Sequence, residues 1–249
     1  MRDDPGYTIY ATMKFTKEHL ESTTTKTEWE RLYYWVSFPF DVRISDVFGF
    51  GEYGKQWIME YYDGAERAQK GYYEGSTFWK FITDTTGNNG ILHANQGYVL
   101  ALFEHGNDYV RLYFPSMNTI TRIDGEYPTE TSISLEPLNC NIPGREQYDS
   151  HWHLIGVPSF ANRQHTITQD DFFYYYQYQP KDDTYKVTSA KDSQVEFKSL
   201  HAYFVQYAGA IDWKTTTILE PIQAKRNNDN VEKTYSLRLE LQKDTTYAD

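Results

Sequence analysis

A single cysteine, Cys140, stands in 249 residues, so no intrachain disulfide can form. The fold rests on noncovalent packing, which a chain of this length supplies, since about three quarters of its unfolded surface leaves water on folding. One cysteine does not fix the redox compartment, because an exported protein need not use disulfides. Basic residues are also scarce: 24 Lys and Arg face 35 Asp and Glu, a formal charge of −11. A nucleic acid is excluded as an expected partner, because phosphate binding draws its affinity from clustered cations and the cations here are scattered. No apolar run approaches the ~20 residues that cross a bilayer as a helix, so no membrane insertion is expected. Met1-Arg2-Asp3-Asp4-Pro5 is not the apolar stretch of a secretion signal. Export stays open, since such a chain can be an excised piece of a longer protein. Helix signals are few as well, and only Ala65–Lys70, bracketed by Gly64 and Gly71, reads as a helical turn.

The chain has 23 tyrosines, and aromatics make up 17% of its residues. A tyrosine ring is large and apolar while its hydroxyl seeks a partner, so it suits half-buried strands and wet binding faces. Thr8–Phe15 alternates apolar Ile9, Ala11, Met13 and Phe15 with more polar neighbours, the period of a strand with one buried face. Leu32–Phe38 is apolar on both faces, as in the middle of a sandwich, and Pro39 removes the next ladder donor. Further strands are expected at 56–62, 77–82, 97–103, 109–114, 152–157, 172–178, 184–188, 200–207 and 235–242, separated by Gly, Asn, Asp and Pro turns. The expected fold class is all-β and antiparallel.

Two segments echo each other. Leu32-Tyr33-Tyr34-Trp35-Val36-Ser37-Phe38-Pro39 and His151-Trp152-His153-Leu154-Ile155-Gly156-Val157-Pro158 are aromatic-rich strands closed by a proline. Each is followed by Leu-His-Ala, at Leu92-His93-Ala94 and Leu200-His201-Ala202. Aligning the prolines pairs Trp35 with Leu154, Val36 with Ile155 and Ser37 with Gly156, and Trp57–Asp63 then answers 172–178. The expectation is an internal duplication of two related sandwich units, jelly-roll-like, since a repeated unit must find a partner surface for its apolar face. The first unit is expected over 1–124 and the second over 150–249, joined by a Pro-rich linker over 125–149. The closing strand is amphipathic, and Lys243-Asp244-Thr245-Thr246 reads as a turn. The second unit is therefore expected to be truncated, with a return strand lying beyond residue 249.

Several segments resemble a family. Trp35-Val36-Ser37-Phe38-Pro39-Phe40-Asp41, Tyr61-Tyr62-Asp63-Gly64-Ala65-Glu66-Arg67-Ala68, the Leu92-x-Ala94-x-Gln96-Gly97-Tyr98 run, Trp152-x-Leu154-Ile155-Gly156-x-Pro158 and Ala202-Tyr203-Phe204-Val205-Gln206 are together similar to a recurring region of large, multi-domain cell-surface proteins of Bacteroidota type. The resemblance covers most of the chain from about Trp29 onward. Val157-Pro158-Ser159 departs from the Asn-Pro common in such proteins. What it implies is an extracellular or cell-surface location, neighbouring domains in a larger parent, and an adhesive, carbohydrate-binding or scaffolding role. Its motifs are structural, and no catalytic residue carries over from them.

Candidate chemistry is sparse. His151 and His153 fall on one strand face, a spacing that chelates zinc when a third ligand arrives, but no second motif supplies one. His153 is therefore expected to make a single hydrogen bond, and no metal or cofactor is expected. Asp170, Asp171, Asp182, Asp183, Glu60 and Asp63 offer carboxylates for a glycoside hydrolase, without any pattern that pairs them. Asn227-Asn228-Asp229-Asn230 is oxygen-rich but lacks the spacing of a calcium loop. The aromatics are the stronger candidates. On the 172–178 strand Tyr174, Tyr176 and Tyr178 share a face, and with Trp79 they are the residues expected to bind a glycan or protein ligand by stacking. The expected function is a noncatalytic binding or adhesion module. A structural spacer is the alternative, and a carbohydrate-active hydrolase the third reading.

Overall fold

In the computed structural model, residues 7–16, 32–73, 76–103, 109–118, 130–157, 163–167, 174–179, 184–189, 197, 200–218 and 236–243 are described. The chain is all-β, built from antiparallel sheets without a barrel. The first half supplies an outer sheet of β1 (Tyr7–Thr16), β9 (Tyr109–Pro115) and β4 (Phe48–Gly49), in that order. Its inner sheet runs β2 (Leu32–Ser37), β8 (Gly97–Leu102), β5 (Trp57–Tyr62), β6 (Trp79–Phe81). A two-stranded ribbon of β3 (Val42–Arg43) and β7 (Ile91–Leu92) stands beside them.

The second half supplies an outer sheet of β10 (Glu130–Leu135), β16 (Gly209–Ile218) and β12 (Arg163–Ile167). Its inner sheet runs β11 (Trp152–Gly156), β15 (Ala202–Gln206), β13 (Tyr174–Gln179), β14 (Thr184–Ser189). Taken in chain order, the two halves place successive strands in the same sheets and the same positions. The halves differ in the β3–β7 ribbon, which belongs to the first, and in β17 (Ser236–Lys243), which pairs with β1 from Tyr7↔Lys243 to Lys14↔Ser236.

Side-chain alternation makes the sheets into layers. On β2, Tyr34 and Val36 enter the core shared with the first outer sheet, while Trp35 points the other way. On β15, Tyr203 and Val205 face the second outer sheet while Ala202 and Phe204 face the first half. Three apolar layers result: Met13, Tyr34, Met59, Leu100 and Phe114 in the first sandwich; Ile155, Tyr175, Phe197 and Tyr203 in the second; and Trp35, Val99, Leu154 and Ala202 between the inner sheets. β8 and the Tyr34–Ser37 stretch of β2 are buried on both faces, which is why they read as apolar on both.

The inner sheets touch through contacts that come in exchange-related pairs. Within the halves, Val36 pairs with Tyr98 as Ile155 pairs with Tyr203, and Ser37 with Gly97 as Gly156 with Ala202. Between the halves, bridges join Val36 to His201 and Ile155 to Gln96. The Ser37 N–H donates to the Leu200 carbonyl at 3.1 Å and the Gly156 N–H to the Asn95 carbonyl at 2.8 Å. Asn95 and Leu200 both have φ of 64°, an unfavourable left-handed conformation for leucine. Reciprocity of this kind is what a two-fold, self-complementary interface produces. The approach is close: a Cβ on Gly97 would lie 2.5 Å from Leu154 Cγ, and one on Gly156 would lie 2.4 Å from Ser37 Cβ.

Three boundaries differ from the sequence expectation. The Pro-rich segment 125–149 contains β10 and a short helix, so it belongs to the second half's fold as well as linking the halves. The closing strand pairs with β1 and so joins the first outer sheet rather than the second half. The outer strands β12 and β16, polar and threonine-rich, carry no alternation strong enough to predict.

Candidate functional site

An aromatic cleft opens between the two inner sheets. Its volume is about 370 Å³, at the lower end of the range that small-molecule sites occupy. Nine of its twelve lining residues are aromatic, and the others are Arg67, Ser76 and Thr77. Both halves contribute rings because each inner sheet turns its non-core face toward the other.

Trp35 is the buried floor, 7% exposed. Trp79 lies 6.1 Å from it and Tyr185 5.5 Å, between ring centroids. Tyr178 stacks on Trp35 at 5.7 Å and 25°. Phe204 packs edge-on to Tyr62 at 4.5 Å and stacks on Trp152 at 4.8 Å. Cross-strand registry fixes the walls: Tyr62 pairs with Trp79, and Tyr178 with Tyr185. At the rim Tyr72 is 49% exposed and Tyr185 57%, so rings that normally seal a core here meet solvent.

An ion-pair knot closes one end. Helix α1 (Gly64–Lys70) is capped by Asp63, whose carboxylate accepts from the Glu66 N–H at 2.8 Å, and ends at Gly71. It can lie against β11 because residue 64 is glycine: a Cβ there would fall 2.0 Å from the Trp152 carbonyl. That placement aims Arg67 at helix α2 (Glu146–Asp149). Arg67 Nε donates to Asp149 at 3.0 Å, Nη1 to the Tyr62 hydroxyl at 3.1 Å and Nη2 to the Tyr148 carbonyl at 3.1 Å. Its guanidinium lies 4.4 Å over the Trp152 ring, a cation–π contact. Arg145 Nε reaches the other Asp149 oxygen at 2.7 Å and also donates to the Tyr72 carbonyl. Asp149 is fully buried. Burial opposes its ionisation, but the hydrogen bonds from Arg145 and Arg67 outweigh it and hold the carboxyl below the usual range. Burial raises the Tyr62 phenol, against the Arg67 bond that lowers it.

Of the residues expected from sequence, Trp79 and Tyr176 line the cleft. Tyr178 stands behind it against Trp35. Tyr174 shares their face but is 46% exposed and is not part of the lining. Sequence reasoning missed Trp35, Arg67, Trp152, Tyr185 and Phe204 as site residues, since they converge only when the halves pack. The two echoing aromatic strands at Leu32–Pro39 and His151–Pro158 are the available signal.

The histidines separate. His151 has φ of 62°, outside the strand, and its Nδ1 accepts from the Leu138 N–H at 3.0 Å. His153 faces the second core, where burial pushes its imidazole down to about 4 against the bond to the Glu136 backbone. Among the described residues no group of three or more His, Cys, Asp or Glu side chains is placed to hold a metal. Cys140 is buried, and its N–H bonds the Ser150 hydroxyl at 2.8 Å. Asp170, Asp171, Asp182, Asp183, Asn227, Asn228, Asp229, Asn230 and Pro158 lie outside the described residues.

Among the described residues no helix is long and apolar enough to cross a membrane. No family model, curated protein or solved structure matches the chain.

Proposed function

We propose that the chain is a noncatalytic binding module of a bacterial cell-surface protein, built as two copies of one β-sandwich unit, with a glycan ligand seated in the cleft between them. The open aromatic cleft carries this reading. Exposed rings of two sheets converge on one hollow, and amphipathic rings give contact area to a sugar face at low entropy cost. None of the described lining residues is a carboxylate, the group that glycosidases pair for acid–base work. The shared strand order and the reciprocal contacts support the duplication. The surface location and adhesive role rest on the resemblance of the Trp35–Asp41 and Tyr61–Ala68 segments to cell-surface proteins.

A glycan array on the purified chain tests this, followed by titration of intrinsic tryptophan fluorescence. Saturable binding that perturbs Trp79 fluorescence is expected, and absence of binding across the array would overturn it. A second reading has its own observation: the buried Arg67–Asp149–Arg145 knot ties the helices of the two halves together, which suits a rigid spacer. A spacer leaves every cleft variant without a binding phenotype.

A further inference from the structure

Trp79 and Tyr185 are one position seen twice. In the first half β6 pairs Trp79 with Tyr62 of β5, and in the second β14 pairs Tyr185 with Tyr178 of β13. The registers through the inner strands agree, since Glu60 pairs with Val99 as Tyr176 pairs with Phe204, and Trp35 pairs with Val99 as Leu154 pairs with Phe204. The reciprocal contacts relate the halves by an approximate two-fold, so the two rings occupy equivalent positions in the two halves. Their ring centroids lie 6.1 and 5.5 Å from that of the Trp35 floor, and both rings line the same hollow.

We infer that Trp79 and Tyr185 are the two jaws of a clamp that grips a neutral pyranose ring, one jaw from each half. This rests on the glycan-binding reading above and adds its specificity. A pyranose suits two aromatic rings of one cleft because its axial C–H groups give it two apolar faces while its hydroxyls project around the edge. Ser76, Thr77 and the hydroxyls of Tyr72, Tyr176 and Tyr185 are polar groups of the lining that can meet such an edge. Neutrality follows from Arg67, the one cation among the described lining residues. Three of its five N–H groups already donate within the protein, and it shares the buried Asp149 carboxylate with Arg145. An anionic sugar would compete with Asp149 for that guanidinium and gain little. Since each jaw belongs to a different half, the bound sugar bridges the two.

The test is isothermal titration of the full chain with the strongest neutral oligosaccharide from the array and with a uronate-bearing, sialylated or sulfated counterpart. Trp79→Ala and Tyr185→Ala are each expected to weaken the neutral ligand about tenfold or more. Trp79→Phe and Tyr185→Phe retain most of the affinity, which separates loss of the ring from loss of the fold. Phe48→Ala, an exposed ring on the first outer sheet, leaves affinity unchanged. Preference for the anionic counterpart would overturn neutrality, and loss at only one jaw would overturn the clamp; in both cases glycan binding itself survives. Failure of every saccharide, including the case in which a proline-rich peptide binds instead, removes the clamp together with the glycan reading.

Discussion

The two sandwiches place the same strands in the same order and fill them differently, and the difference is concentrated where they meet. At the close approach the pair Ser37 and Gly97 in the first half answers Gly156 and Ala202 in the second, all of them small. One strand-step away the sizes are exchanged: Trp35 sits opposite Val99, whereas Leu154 sits opposite Phe204. The large ring is on the edge strand in one half and on its neighbour in the other, so the rings pass each other and stay in edge contact at 5.9 Å. Had both halves kept a tryptophan at this position, two large rings would compete for the same space, and overpacking of that kind is costly. Contact near the two-fold demands small residues in both halves, while divergence beside it makes the cleft.

The largest departure from this symmetry is the knot between α1 and α2, and breaking it is expected to cost most. Asp149→Ala strands two guanidinium groups, one of them 14% exposed, without their shared carboxylate. Removing one partner of a buried ion pair costs about 3–5 kcal/mol, read as a lower urea midpoint. If Asp149→Ala proves nearly neutral, the knot does not fasten the halves. Trp35→Leu copies the residue that the second half has at the equivalent position. It removes the cleft floor and leaves a void, at about 2–4 kcal/mol, and it abolishes ligand binding. Retained binding in a folded Trp35→Leu protein would place the ligand elsewhere.

Gly97→Ala copies Ala202 into the first half. The same methyl that Ala202 carries without strain would here lie 2.5 Å from Leu154 Cγ and 2.9 Å from the Ala202 Cβ. Overpacking at this junction is expected to cost about 1–3 kcal/mol. The backbone at Gly97 is not left-handed, so the cost measures space between the halves and not the loss of glycine's freedom. A stabilising Gly97→Ala would mean that the halves can draw apart without penalty.

Much of the architecture is legible in the residues, because burial on one or both faces leaves period-two or continuous apolar patterns. The proline alignment is a good example: it pairs Val36 with Ile155 and Ser37 with Gly156, as the strand registers do. The Leu-His-Ala echo misleads. Registers match Gly97 with Ala202, so Asn95 answers Leu200, and the buried counterpart of Leu92 is Phe197. Equivalent core positions preserve burial and not identity, so matching letters found the wrong residues. The alignment of Trp57 with position 172 was off by one, since Met59 answers Tyr175, and in a strand a one-residue slip reverses the face. The pairing of β17 with β1 joins opposite ends of the chain and leaves no local pattern. The cleft is illegible for the same reason: Trp35, Arg67, Trp152, Tyr185 and Phe204 lie on four strands and a helix, and only packing of the halves brings them together.

At neutral pH the smallest effect is expected at His153, which occupies the position of the fully buried Tyr34. Burial holds its imidazole down to about 4, against an ordinary value of 6.5. Between those values the unfolded chain binds more protons than the folded one, so stability rises with pH across this window. It is complete above about 6.5 and declines as the pH falls toward 4. Asp149 acts separately: its carboxyl is lowered on folding, so its contribution holds above the ordinary carboxylate range and is lost only at more acid pH. His153→Tyr copies the first half, and a phenol does not titrate between 4 and 6.5. The variant is therefore expected to keep its stability nearly constant over that window while the wild type loses stability. The measurement is a series of urea unfolding curves at stepped pH, comparing slopes rather than absolute midpoints, because the larger ring shifts packing at every pH. Equal slopes in the two proteins would show that the imidazole titrates normally and that the second core admits water where the first does not.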